Sequence, residues 1–214
     1  MTKPAVCFII FNILAQRMVT EMINSPEGIF IVQKLQNELP EHFYYHNLNH
    51  TLDVYRCAES IAQQENINCA DKNLLLVAAL YHDAGYLLQI NDHETASCNI
   101  VRENLVRYGY SPKEIEQVCA LIMATRIPQT PTSLFEKIIC DADLDYLGRD
   151  DFFTTGNNLY CELLAIGQIN NEEEWDQLQT LFLQQHKFFT ATSLKNRQPK
   201  QQENLAALQI NHQP

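Results

Sequence analysis

LLLVAALYHDAGY, residues 74–86, is the stretch whose reading decides the fold. Leu74, Leu75, Leu76, Val77, Ala78, Ala79 and Leu80 form an apolar run with His82 and Asp83 at its far end. A helix that is hydrophobic nearly all round is a buried helix, so the run predicts a central helix with two polar residues inside the protein. Burying an imidazole beside a carboxylate is costly unless something compensates both, and a divalent cation does so. Successive helical residues point about 100° apart, so His82 and Asp83 flank a metal more readily than they face one distant partner. A single His-Asp pair is weak evidence, and a capped or solvated pair is its usual explanation. The rest of the ligand set has to come from elsewhere in the chain.

Outward from this run, helical spacing dominates, and only six glycines and eight prolines punctuate 214 residues. Upstream, the spacing predicts a helix over 4–23, a second opened by Ser25-Pro26-Glu27 and ending near Leu39-Pro40, and a third capped by Asn47 and running to Gln64. Asp71 is the expected cap of the central helix. Downstream, Asn91 or Asp92 caps a helix over His93–Tyr108 that Gly109 ends. Ser111-Pro112-Lys113-Glu114 then combines an N-cap, a proline at the first helical position and a capping-box glutamate. Further helices are expected over Leu134–Leu147, Asp150–Ile166 and Asn171–Thr190. Residues 191–214 read as a polar tail with a short helix over Leu205–Ile210. With no repeat and no linker, the expectation is one all-α domain over 1–214, a compact multi-helix bundle with the site between central helices.

Hydrophobic content of 46% with 19% charged residues is ordinary for a globular chain. The net charge of −11 argues against a nucleic-acid polymer or an anionic membrane as partner. An anionic substrate would need local positive charge, which bound metal supplies. Cys7, Cys57, Cys69, Cys98, Cys119, Cys140 and Cys161 stand singly, are odd in number and form no CxxC pair. Buried thiols and a cytoplasmic location fit that usage, and Cys140 reads as core packing. Ala5–Ala15 after Lys3 is too short to span a bilayer and is interrupted by Asn12, so a buried first helix is expected there rather than a leader.

Three further groups carry chemistry. Tyr45-His46-Asn47 precedes His50 and Asp53, and His46 and His50 share a face if the helix begins that early. Cys140-Asp141-Ala142-Asp143-Leu144-Asp145 alternates acids with small or apolar residues. His50, His82, Asp83 and Asp141 make a mixed nitrogen–oxygen set suited to a borderline or hard divalent ion. Singly, each has a plainer reading: His50 a helix-surface residue, Asp141 a solvated acid, Asp143 and Asp145 exposed or bracing the loop after Gly148.

The order His, His-Asp, Asp on helices resembles the HD-domain superfamily of metal-dependent phosphohydrolases, over about residues 30–190. Tyr45-His46-Asn47, His50 and Asp53-Val54 are also similar to the metal-site signature of its cyclic-nucleotide phosphodiesterase branch. Residues 141–148 are similar to small bacterial HD proteins that are predicted hydrolases. The resemblance implies His46 as general acid, with His50, His82, Asp83 and Asp141 as metal ligands. His93-Glu94 matches the extra histidine of two-metal relatives, as a second metal or substrate contact or simply as a helix start. Ala124-Thr125-Arg126 stands where a further histidine is common, and this argues against a complete second site.

The expected activity is hydrolysis of a phosphoester or phosphoanhydride, in a nucleotide, by a metal-activated water that Asp83 or Asp141 orients. His46 would protonate the leaving oxygen, and Arg126 and Arg149 are candidates to offset phosphate charge, with a surface role for Arg149 the preferred reading. Manganese, magnesium, iron, cobalt, nickel and zinc all suit the donors. The alternatives are an HD-type di-iron oxygenase, which needs more histidines, and a metal-binding regulatory domain without turnover. A homodimer through a helix face is compatible with the pattern.

Overall fold

The computed structural model describes residues 22–211, so the helix expected over 4–23 lies outside the described residues apart from its last two positions. The described residues form ten α-helices and three 3₁₀ turns, with no strand among them. The helices are α1 (Pro26–Glu38), α2 (Leu48–Gln64), α3 (Cys69–Tyr81), α4 (His93–Leu105) and α5 (Pro112–Ala124). They continue with α6 (Leu134–Asp143), α7 (Phe152–Ala165), α8 (Glu172–Gln185), α9 (Ala191–Asn196) and α10 (Gln198–Asn211). None is long and apolar enough to cross a membrane.

Local chemistry sets most boundaries. The Ser25 hydroxyl accepts from the Gly28 N–H, and the Asn47 side chain accepts from the Asn49 and His50 N–H groups. Ser111 with Glu114, and Ser133 with Glu136, close full capping boxes. The central helix α3 begins two residues before the expected Asp71 cap. It also stops at Tyr81, where a turn and the 3₁₀ segment Ala84–Leu87 take over, so His82 and Asp83 lie just past its end. The expected 134–147 and 93–108 helices likewise break one turn early into the 3₁₀ segments Asp145–Gly148 and Val106–Tyr108.

Leu75–Tyr81 are almost wholly buried, as an all-round apolar helix must be. They are surrounded by α2, α5, α6 and α1 in one core that includes Val54, Ala58, Val101, Val118, Ile122, Ile138 and Ile139. Each such aliphatic side chain contributes about 1.5–3 kcal/mol when fully buried. A second core holds Tyr45, Leu144, Tyr146, Leu147, Phe152, Leu183, Phe188 and Leu208. His82, Asp83 and Asp143 sit at the helix ends where the two cores meet.

The expected polar tail is corrected by the structure over residues 191–211, the last three positions lying outside the described residues. Its residues up to Asn211 build α9 and α10; α10 packs on the Asp145–Gly148 turn and on α8, and α9 packs on α10 and on α2. The Asn204 amide donates to the Leu147 and Arg149 carbonyls, and Leu208 joins the second core. A mostly polar helix is held here by side-chain amides on buried carbonyls rather than by an apolar stripe, which hydropathy does not register.

Candidate metal centre

His50 reaches the centre from the first turn of α2, His82 and Asp83 from the turn after α3, and Asp143 from the last residue of α6. One ligand atom each from His50, His82 and Asp83 lies within 4.8 Å of the others. His50 Nε2 and His82 Nε2 are 3.3 Å apart. Asp83 Oδ2 is 3.4 Å from the first and 3.2 Å from the second. Asp143 Oδ1 closes the opposite side, 3.3 and 3.4 Å from the same two nitrogens.

Asp141 is not part of this cluster, which corrects the expected fourth ligand. It is fully buried elsewhere, accepting from the Phe189 N–H at 2.9 Å, the Thr190 N–H at 2.8 Å and the Thr190 hydroxyl at 2.6 Å. Two residues along a helix turns the side chain by about 200°. Asp141 therefore fastens the segment before α9, while Asp143 faces the histidines. Asp145 also serves structure, pairing with Arg197 at 2.7 Å.

The donor atoms suit a cation. His82 Nδ1–H donates to the Ala79 carbonyl at 2.8 Å, which fixes the tautomer and leaves Nε2 as a lone pair aimed at the cluster. Among the described residues Asp83 Oδ2 is buried without a hydrogen-bond partner, beside two imidazole nitrogens, and these donors together fit a divalent cation. Burial opposes a charged imidazole at His82, yet Asp83 and Asp143 outweigh it and raise the His82 pKa well above the ordinary histidine value. Burial likewise opposes charge on Asp83, and the surrounding histidines pull its pKa well below the carboxylate range. Asp143 falls to about 2, burial again being outweighed by His50 and His82. The centre thus favours added positive charge, and a divalent ion would compete there with protons.

A row of rings borders the centre. His46 stacks on Tyr86 with centroids 4.5 Å apart, and Tyr86 stacks on His93 at 4.1 Å. His93 Nε2 lies 3.4 Å from Asp83 Oδ1, the oxygen turned away from His50. The helix begins at Leu48, so His46 lies in the turn before it and not on a shared helix face with His50. Its position is set by Glu162 of α7, a fully buried carboxylate. Glu162 accepts from the Tyr45 N–H at 2.7 Å, the His46 N–H at 2.9 Å and His46 Nδ1. Burial alone would raise the Glu162 pKa, and these bonds bring it below the ordinary value instead.

Sequence reading missed Asp143 as the facing acid and Glu162 altogether. A signal for the second existed: Glu162 is the lone charge in Leu159–Ala165, an otherwise apolar helical run. Gly85 is a further requirement, because a Cβ there would meet the His93 carbonyl oxygen at 1.9 Å. Its N–H donates to Ser97 Oγ at 2.7 Å, and Ser97 donates to the His82 carbonyl at 2.7 Å, tying α4 to the ligand turn. Arg149 sits outside the site, paired with Asp53 and Asp151. Arg126 lies at the rim, held by Asp92, Glu94 and Thr95. Cys140 is fully buried, donates to the Ala124 carbonyl and has its pKa raised by burial, as a core thiol.

The HD domain family matches residues 47–145, the span from the Asn47 cap to the turn after Asp143. An uncharacterized protein of Clostridium beijerinckii is 33% identical over 109 residues, covering 49% of this chain and 69% of that protein. The crystal structure of a predicted HD superfamily hydrolase from an uncultured Thermotogales bacterium superposes with a TM-score of 0.59 at 23% identity. That superposition covers 90% of this chain and 95% of the other, and it establishes the shared all-helical fold. Fold, matched segment and relative together place the chain in the HD-domain family.

Proposed function

We propose that the protein is a metal-dependent phosphoester hydrolase with His50, His82, Asp83 and Asp143 as the ligands of one divalent ion. The carrying observation is the convergence of two imidazole Nε2 atoms and two carboxylates beside a third histidine, His46, whose Nδ1 is held by a buried glutamate. When bound, the ion supplies Lewis-acid polarisation of a phosphoryl oxygen and a water of lowered pKa.

The chain's residues do the rest. In the imidazolium form His46 keeps its Nδ1–H on Glu162 and presents Nε2–H as the proton for the departing oxygen, with the Glu162 carboxylate compensating the ring charge. Water adds to phosphorus, the P–O ester bond breaks, and the alkoxide leaves as an alcohol with the His46 proton. Asp83 Oδ1, 3.4 Å from His93 Nε2, is placed to orient the attacking water. One ion is favoured over two by two contacts. The Thr125 hydroxyl is turned away to the Ile122 carbonyl, and Glu94 Oε2 faces Arg126 at 3.4 Å. The same shortage of histidines disfavours a di-iron oxygenase.

The test compares His46→Ala on two ester types with added manganese or magnesium. An alkyl ester needs its leaving oxygen protonated, whereas p-nitrophenolate leaves unaided. The expected loss is about 10²–10⁴-fold on the alkyl ester and much smaller on the p-nitrophenyl ester. Equal losses on both, or none, would remove His46 from the acid role. No turnover of any phosphoester by the metal-loaded wild type would remove the hydrolase reading.

A further inference from the structure

The centre opens into a cavity of about 230 Å³ whose two walls differ in chemistry. His46, Asp83, His93, Glu94 and Asp143 form one wall. Most of the remaining lining is apolar, with Leu144, Leu159, Leu163, Trp175, Leu178 and Phe182 from α7, α8 and the chain after α6, while Gln179, Thr125 and the tyrosines Tyr45, Tyr86 and Tyr146 add polar groups. No lysine or arginine is among the described residues that line it. Arg126 belongs to a separate cleft beyond His46 and Tyr86 and is held there by Asp92 and Glu94.

A substrate phosphoryl group at the ligand cluster must therefore direct the rest of its molecule either toward the apolar wall or toward the Arg126 cleft. His46 faces both spaces. The apolar side is the narrower, below the roughly 300–1,000 Å³ of sites that take drug-sized ligands. A polyphosphate placed there would meet no cation, and desolvating its charge against leucine and phenylalanine is costly. A compact uncharged group meets complementary surface instead, and each buried CH₂ is favourable.

We propose, resting on the hydrolase reading above, that this cavity receives the alcohol portion of the substrate. The preferred substrates are then phosphoesters of small apolar or aromatic alcohols rather than nucleotides. Close packing of α7 on α8 shapes the wall: a Cβ at Gly156 would lie 2.5 Å from Gln179 Nε2 and 3.6 Å from the Trp175 ring.

Trp175 is the single tryptophan of the chain and lines the cavity, so its fluorescence reports occupancy without any turnover. The full-length protein is titrated with cyclohexanol, and with glycerol as a polar control. Saturable quenching or a spectral shift with cyclohexanol alone, weakened roughly tenfold in Leu163→Gln, is the expected result. Leu178→Gln, at a position 44% exposed, repeats the test where Leu163→Gln fails to fold. In parallel, kcat/KM is compared for benzyl phosphate, glycerol phosphate and nucleoside monophosphates, with roughly 10–100-fold preference for the benzyl ester expected. A cyclohexanol response without hydrolysis of any ester would keep the apolar site and remove the hydrolase reading. Hydrolysis with no ester preference and no tryptophan response would overturn the apolar site and keep the hydrolase. A preference for nucleotides would also overturn it.

Discussion

Asp141 and Asp143 are two residues apart on one helix, yet the structure gives them opposite tasks, and replacing each with asparagine separates those tasks. Asp141 Oδ2 takes two bonds from Thr190 and Oδ1 takes one from the Phe189 N–H. An asparagine keeps one oxygen, so its NH₂ faces either the Phe189 N–H or the Thr190 pair, leaving at least one buried donor unsatisfied. Losing a bond to a charged acceptor costs about 1.5–3 kcal/mol, and an orphaned donor about 1–3 more. Burial raises the Asp141 pKa despite the bonds from Thr190 and Phe189, so part of that gain is already spent on desolvation. The net expectation is the lower part of the range, about 2–3 kcal/mol. For a chain of this length that is a fall of roughly 4–12 °C in Tm. Asp143→Asn orphans no backbone N–H but gives up the pairing with His50 and His82 that holds the Asp143 pKa low, so it should lower Tm less than Asp141→Asn and should lose its metal. Thermal melts in chelator, paired with metal titrations of both variants, read the two effects independently. Metal loss in Asp141→Asn with retention in Asp143→Asn would refute the assignment.

Other consequences follow from single contacts. Glu162→Gln removes the carboxylate that accepts from His46 Nδ1 and should lower kcat about 10²-fold or more while leaving metal affinity unchanged; an unaltered kcat would show that His46 needs no such partner. Gly85→Ala drives a methyl into the His93 carbonyl and should cost about 2–3 kcal/mol, read by chemical denaturation, with weakened metal binding through the shifted ligand turn. Burial pushes the His186 imidazole down to about 4, with Asp143 pulling the other way, and its Nε2 is buried without a hydrogen-bond partner among the described residues. The unfolded chain then binds the extra proton first, so stability is full above about pH 6.5 and falls toward pH 4, by about 3 kcal/mol. His186→Gln should flatten that slope in pH-dependent denaturation, and an unchanged slope would place the acid sensitivity elsewhere.

Much of this was legible in the chain because its signals are local. Ser25, Asn47 and Ser111 cap helices where a short polar side chain precedes an apolar period, and the structure keeps all three. The apolar run Leu74–Leu80 announced a buried helix, and His82 and Asp83 are buried at its end. What escaped was non-local or rotational. The choice between Asp141 and Asp143 depends on how α6 is rotated, and both neighbours along the helix are apolar. Glu162 meets His46 across 116 residues, a pairing that no spacing encodes. The segment after Thr190 looked like a tail because its contacts are made by Gln201 and Asn204 amides on buried carbonyls.

The most direct test of the account is a metal titration of the chelator-stripped protein, followed through hydrolysis of a phosphoester. Activity should be absent at the start, rise linearly with manganese or magnesium, and level off at one equivalent. In Asp143→Ala it should stay absent, with metal affinity weakened by more than the 10–100-fold that loss of an outer-shell partner typically costs. Turnover that survives chelation, or a stripped protein that takes up no divalent ion, would contradict the central claim.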